Sequence, residues 1–106
     1  MNRGSIWWVE FGSTVGSEIR KTRPAIIVSN DTSNQRLQQV QVVPLTSRLV
    51  RDYAPEAEVQ CDGKPARALA HQVATVSKQR LNSRIGVCSP DELQRVEAAL
   101  RVQLAL

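Results

Sequence analysis

Apolar residues recur along most of this chain in short runs with a period of two, and only near its C-terminus does the spacing become helical. Ser5 to Phe11 (SIWWVEF) reads as a first strand. Its adjacent tryptophans, Trp7 and Trp8, then point to opposite faces. One enters the core, and the other is an interface residue or a partly covered surface aromatic. Gly12 to Thr22 is polar, holds two glycines and reads as a long loop. Pro24 to Ser29 is a second strand around the apolar run Ala25-Ile26-Ile27-Val28, and Ser29-Asn30-Asp31 follows as a turn. Gln39 to Leu45 (QVQVVPL) alternates at Val40 and Val42, with Pro44 marking a sheet edge or bulge. Weaker strands are expected at Glu56–Gln60 and Arg67–Ala70. Between them Cys61-Asp62-Gly63-Lys64 carries the Asp-Gly hairpin signal. Ser77 to Leu81 reads as a short helical turn and Arg84 to Cys88 as a last strand.

The period then changes. Ser89-Pro90-Asp91-Glu92 places serine at an N-cap, proline at the first helical position and glutamate at the third, which together form a capping box. Leu93, Val96, Leu100 and Leu104 mark one helical face, widened by Ala99 and Val102. Such a helix packs across the open side of a sheet. The expected fold is mainly β with a C-terminal α-helix, a small bent sheet closed as a barrel, in a single domain over residues 1–106.

Composition adds a direction. The net charge is +4, and 11 of the 14 basic residues are arginine. Arginine's planar fork suits phosphate, so the excess leans towards a polyanionic partner, although a merely soluble basic surface has the same charge. Cys61 and Cys88 form no CxxC pair, and His71 is not at ligand spacing from either, which argues against a zinc site. The first 20 residues lack an apolar signal core and no apolar run reaches membrane-spanning length, so a cytoplasmic protein with free thiols is expected.

The sharpest local feature is Arg23-Pro24, behind Lys21 and Thr22. A residue before proline is held extended, so Arg23 is aimed in a fixed direction at the mouth of a strand. Three segments come in order: RGSIWWVEF with TVGSE, TRPAIIVSN and VVPLTS. They are followed by ALAHQV with SKQRL, and by RIGVCSPDEL. The series spans nearly the whole chain and resembles the MazF/PemK family of toxins from toxin–antitoxin pairs.

That resemblance implies an SH3-like barrel forming a homodimer, metal-independent and cofactor-free cleavage of single-stranded RNA at selected sequences, and inhibition by a cognate antitoxin of the MazE/PemI kind. It places the RNA-contacting arginine on Arg23, the active-site threonine on Thr46, and the family's GSE loop on Gly16-Ser17-Glu18. Many relatives carry an acidic residue where this chain has His71. The implied reaction is attack of a ribose 2′-OH on its own 3′-phosphate, giving a 2′,3′-cyclic phosphate and a 5′-OH. It needs a base, an acid and charge stabilisation, and no protein nucleophile.

Arg23 suits the phosphate, and a donor role is easier for it than a base role, because a guanidinium holds its proton throughout the working pH range. Thr46 holds a non-bridging oxygen or makes a local turn bond, and Ser47 is a weaker candidate for the same work. Glu18 takes the 2′-OH proton, orients Arg23, or is simply solvated. His71 replaces the missing acid, contacts a base or phosphate, or is structural. Gln72 reads a base edge or braces the site. Ser17, Arg20, Lys21, Arg48, Arg51, Lys78, Arg80 and Arg84 are candidates to guide the RNA backbone, with plain surface solvation the default reading for each basic residue. Two other functions remain open: a gyrase-poisoning toxin of the CcdB kind on a similar fold, and a non-catalytic RNA-binding barrel.

Overall fold

The structure is a computed structural model that describes residues 1–12, 21–48 and 55–106. Its strands are β1 (Ser5–Glu10), β2 (Thr22–Ile27), β3 (Gln39–Thr46), β4 (Glu56–Cys61), β5 (Lys64–Leu69), β6 (Ala74–Ser77) and β7 (Leu81–Val87). They form one curled antiparallel sheet in the order β4-β5-β3-β2-β1-β7, with β6 also paired to β3. A six-residue helix α1 (Asp31–Arg36) joins β2 to β3, and α2 (Pro90–Leu104) closes the chain. This is the expected mainly-β fold with a C-terminal helix.

The central strands are buried on both faces, which is why Ala25-Ile26-Ile27 reads as continuous apolar sequence rather than as an alternation. Ile26, Val43 and Leu45 face one cluster, which Val96 and Ala99 of α2 complete. Ala25, Ile27, Val40 and Val42 face a second cluster with Val76 and Leu81, against which Trp7 packs. Trp8 lies on the other side of β1 and stays 42% exposed, so the two tryptophans part as expected.

Two of the three strand prolines, Pro24 and Pro44, show how an unpaired edge accommodates the residue. Pro24 is the third residue of β2 rather than its first. It pairs with Trp8 of β1, while β3 joins the opposite edge only from Ala25 onward. Pro44 falls where β3 changes partner: Gln39–Val42 pair with β6, and Leu45 and Thr46 with β5. A residue without an N–H costs least at such a seam.

Several expectations need correction. Asp31 opens a helix that Asn30 caps, so this stretch is not only a turn. Asn30 caps α1 by accepting from the Ser33 N–H at 2.9 Å, and buried Asn34 donates to the Ser29 carbonyl at 2.9 Å. A six-residue polar helix has no apolar period to betray it. The strand β6 is also new, and β5 and β7 both begin three residues earlier than their sequence patterns indicate. The helical turn near Ser77 is a 3-10 turn at Lys78–Arg80. Leu104 and Val102 are 51% and 64% exposed rather than buried, because α2 packs on β4 and on the 3-10 turn Ala70–Gln72 and its last turn runs into solvent.

The capping box of α2 is present as expected: the Ser89 Oγ accepts from the Glu92 N–H at 3.1 Å, and Glu92 Oε1 accepts from the Ser89 N–H at 2.8 Å. The same buried carboxylate also accepts the Gln60 N–H of β4, pinning helix to sheet. Burial pushes the Glu92 carboxyl up, but the backbone N–H groups of Ser89 and Gln60, the Ser89 hydroxyl and Arg95 outweigh it, leaving the group below its ordinary range. A depressed carboxyl contributes stability above its unfolded value and loses it as pH falls through the folded one. Glu92→Ala should therefore cost about 1–3 kcal/mol in urea unfolding at neutral pH. The loss of stability that the wild type suffers below the ordinary carboxylate range should be smaller in Glu92→Gln.

Candidate active site

The mouth of β2 and the end of β3 meet at one end of the sheet. Lys21 takes a left-handed backbone conformation (φ 66°) and accepts the Phe11 N–H on its carbonyl at 3.0 Å, which turns the chain into β2. Such a conformation is uncommon outside glycine and gathers at functional sites. Two residues on, Arg23 is exposed, opposite Val9 of β1. Thr46 ends β3, and its hydroxyl oxygen accepts the Arg48 N–H at 3.2 Å. The local turn bond foreseen for this threonine is thus present. Because that bond uses the hydroxyl as an acceptor, the hydroxyl proton is left to donate to a ligand oxygen.

These residues line one cleft of about 410 Å³, with Lys21, Arg23, Thr46 and Ser47 along its polar side. Trp8, Pro24, Leu45, Pro65, Ala66 and Ile85 provide an apolar wall, and the β4–β5 hairpin adds Cys61, Asp62 and Lys64. The volume suits a small ligand or a short stretch of a polymer. Three cations, Lys21, Arg23 and Lys64, face one described carboxylate, Asp62, so the cleft favours an anion. Among the described residues, no cluster of three His, Cys, Asp or Glu side chains is placed to hold a metal. No described helix is long and apolar enough to cross a membrane.

The other sequence candidates lie elsewhere. Exposed His71 and half-buried Gln72 occupy the 3-10 turn after β5, with Gln72 Nε2 3.5 Å from His71 Nε2, and neither lines the cleft. Arg48, Lys78, Arg80 and Arg84 do not line it either. Arg80 donates to the Glu10 carbonyl at 3.2 Å and so braces the end of β1. Ser17, Glu18, Arg20 and Arg51 lie outside the described residues. Arg67, beside Thr46 in the sheet, is committed to Glu56 at 2.9 Å in a nearly buried ion pair. Both cysteines are free; burial first, then a neighbouring carboxylate (Asp62 for Cys61, Glu92 for Cys88), pushes each thiol above its ordinary value.

Sequence reading missed Asp62 and Lys64 as cleft residues. The Asp-Gly signal located their turn, but nothing local shows where a hairpin tip will lie. For Trp8 the signal was there, an exposed aromatic, without its destination.

A family model described as PemK-like, MazF-like toxin of type II toxin–antitoxin system matches residues 2–104. The chain belongs to this family. Among PemK/MazF relatives, Endoribonuclease MazF9 of Mycobacterium tuberculosis is 35% identical over 100% of this chain and 98% of its own. Endoribonuclease EndoA of Bacillus subtilis is 28% identical over 100% and 96%. Solved structures agree on the fold. MazF of Deinococcus radiodurans superposes with a TM-score of 0.87 at 24% identity, covering 100% of this chain and 97% of that one. A mycobacterial endoribonuclease in complex with its cognate antitoxin gives 0.85 at 22% identity, covering 100% and 96%.

Proposed function

We propose that this PemK/MazF-family chain is a toxin endoribonuclease that cuts single-stranded RNA through attack of a ribose 2′-OH on the adjacent phosphate. One observation carries the chemistry. Arg23 and Thr46, distant in sequence, line one cation-rich cleft in a chain 35% identical end to end to an endoribonuclease. Arg23 presents a planar set of donors to the phosphate as negative charge builds on it. Thr46 donates its free proton to a non-bridging oxygen, with Ser47 beside it. Lys21 and Lys64 draw in the RNA backbone. Glu18 and His71 are the candidates to move the protons. The same reading includes a cytoplasmic setting, a homodimer, and an acidic antitoxin segment that covers the basic cleft and blocks Arg23.

Purified protein incubated with mixed-sequence single-stranded RNA tests this directly. Discrete fragments ending in 2′,3′-cyclic phosphate and 5′-OH are expected. Intact RNA of altered mobility would favour the non-catalytic binder. Untouched RNA with gyrase inhibited would favour a poison of the CcdB kind.

His71 is assigned a proton-transfer role that its position outside the cleft of its own protomer makes a demanding test. His71→Ala should slow single-turnover cleavage, with His71→Asp recovering part of the rate. An unchanged cleavage rate in His71→Ala would pass the base to Glu18.

A further inference from the structure

The apolar wall of the cleft has no part in the phosphate chemistry, yet it is built from residues suited to another component of RNA. Trp8 shows a large aromatic surface there, 42% exposed, and Pro65 and Ile85 line the same space. A base stacks on such a surface whatever its identity. The selective group is Asp62. It occupies the first position of a two-residue hairpin turn with φ 53°, followed by Gly63 at φ 76°. The turn needs asparagine, aspartate or glycine at that position. Asparagine would satisfy it without setting a negative charge in a cleft that holds Lys21, Arg23 and Lys64. The charge works against phosphate binding and is not explained by the fold. No hydrogen bond or ion pair joins the Asp62 carboxylate to another described residue.

We propose that this end of the cleft is a nucleobase subsite selecting guanine, in which Trp8 stacks the base and Asp62 accepts from its Watson–Crick edge. A carboxylate offers two acceptor oxygens and no donor. Guanine alone presents two adjacent donors on that edge, N1–H and the 2-amino group. Adenine and cytosine each set an amino group beside an acceptor nitrogen that the carboxylate repels, and uracil sets a single N–H between two carbonyls. Unstacked bases in single-stranded RNA are read on these edges. Lys64, two residues after Asp62, lines the same cleft. The inference rests on the ribonuclease reading for its ligand, and its test does not need cleavage.

Four 2′-deoxy pentanucleotides, thymidine throughout except for a central G, A, C or T, serve as the probes, with affinity read by fluorescence anisotropy. Wild-type protein should bind the guanine probe about tenfold more tightly than the others. Asp62→Asn keeps the turn, since asparagine adopts the left-handed region readily, and should abolish that preference. Trp8→Ala should weaken all four probes by about tenfold while Trp8→Phe, which keeps an aromatic face, loses far less. Wild-type protein with no guanine preference, including one that binds no probe, or an Asp62→Asn variant that keeps the preference, overturns the subsite. Guanine-selective binding by a protein that leaves ribo-RNA intact supports the subsite and sinks the nuclease reading alone.

Discussion

Arg23→Lys is expected to lower single-turnover RNA cleavage by about a hundredfold while RNA binding weakens far less. The substitution keeps the charge and removes the fork. A lysine ammonium is a compact, strongly hydrated point charge on a flexible stem, so it still attracts the backbone. It cannot present two parallel donors to a phosphate passing through a pentacovalent geometry. Loss of one preorganised donor in comparable oxyanion sites costs ~10²–10³ in rate. Arg23 is well placed to show the full effect. Pro24 restricts its backbone to extended geometry, β1 pairs with it, and it shares its cleft with Thr46. Binding and cleavage are to be measured separately, with a non-cleavable RNA for the first and enzyme excess for the second. Near wild-type cleavage by the lysine variant would remove Arg23 from the reacting centre.

The second large effect belongs to the substrate. An RNA with one 2′-deoxy sugar immediately before the scissile phosphate should bind with nearly unchanged affinity and remain uncut there. The proposed nucleophile is that sugar's own hydroxyl, and no residue described in the cleft is proposed to replace it. Cys61, the thiol lining the cleft, is pushed away from its nucleophilic thiolate form by burial and by Asp62. EDTA should leave cleavage of the all-ribose RNA unchanged. Cutting at the 2′-deoxy position would overturn the mechanism itself and redirect attention to an activated water.

Local signals in the chain were the reliable ones. The capping box at Ser89–Glu92 works through atoms three residues apart, and the Asp62-Gly63 turn through two backbone dihedrals, so both could be read without knowing the rest. The outer turns of α2 went wrong for the opposite reason. Val102 and Leu104 continue an apolar stripe, but whether they are buried depends on how far β4 extends beneath them. The helix α1 escaped because its stability comes from the Asn30 cap and from Asn34 bonding back to Ser29, not from an apolar face.

The order of motifs along the chain determined the family and singled out Arg23 and Thr46, because each of those residues carries its backbone context with it: a proline beside one, a strand end at the other. Tertiary structure alone decided what shares a cleft with them. Trp8, Arg23, Thr46 and Asp62 come from four separate strands or turns, and their meeting depends on the register and curl of the whole sheet. His71, which sequence order groups with them, is kept out of that cleft because β5 ends at Leu69 and the chain turns into a 3-10 segment under α2. Side-chain type and spacing constrain neighbours within a few residues; which distant segments meet is settled by burying both faces of the central strands at once, a condition that no single stretch of the sequence contains.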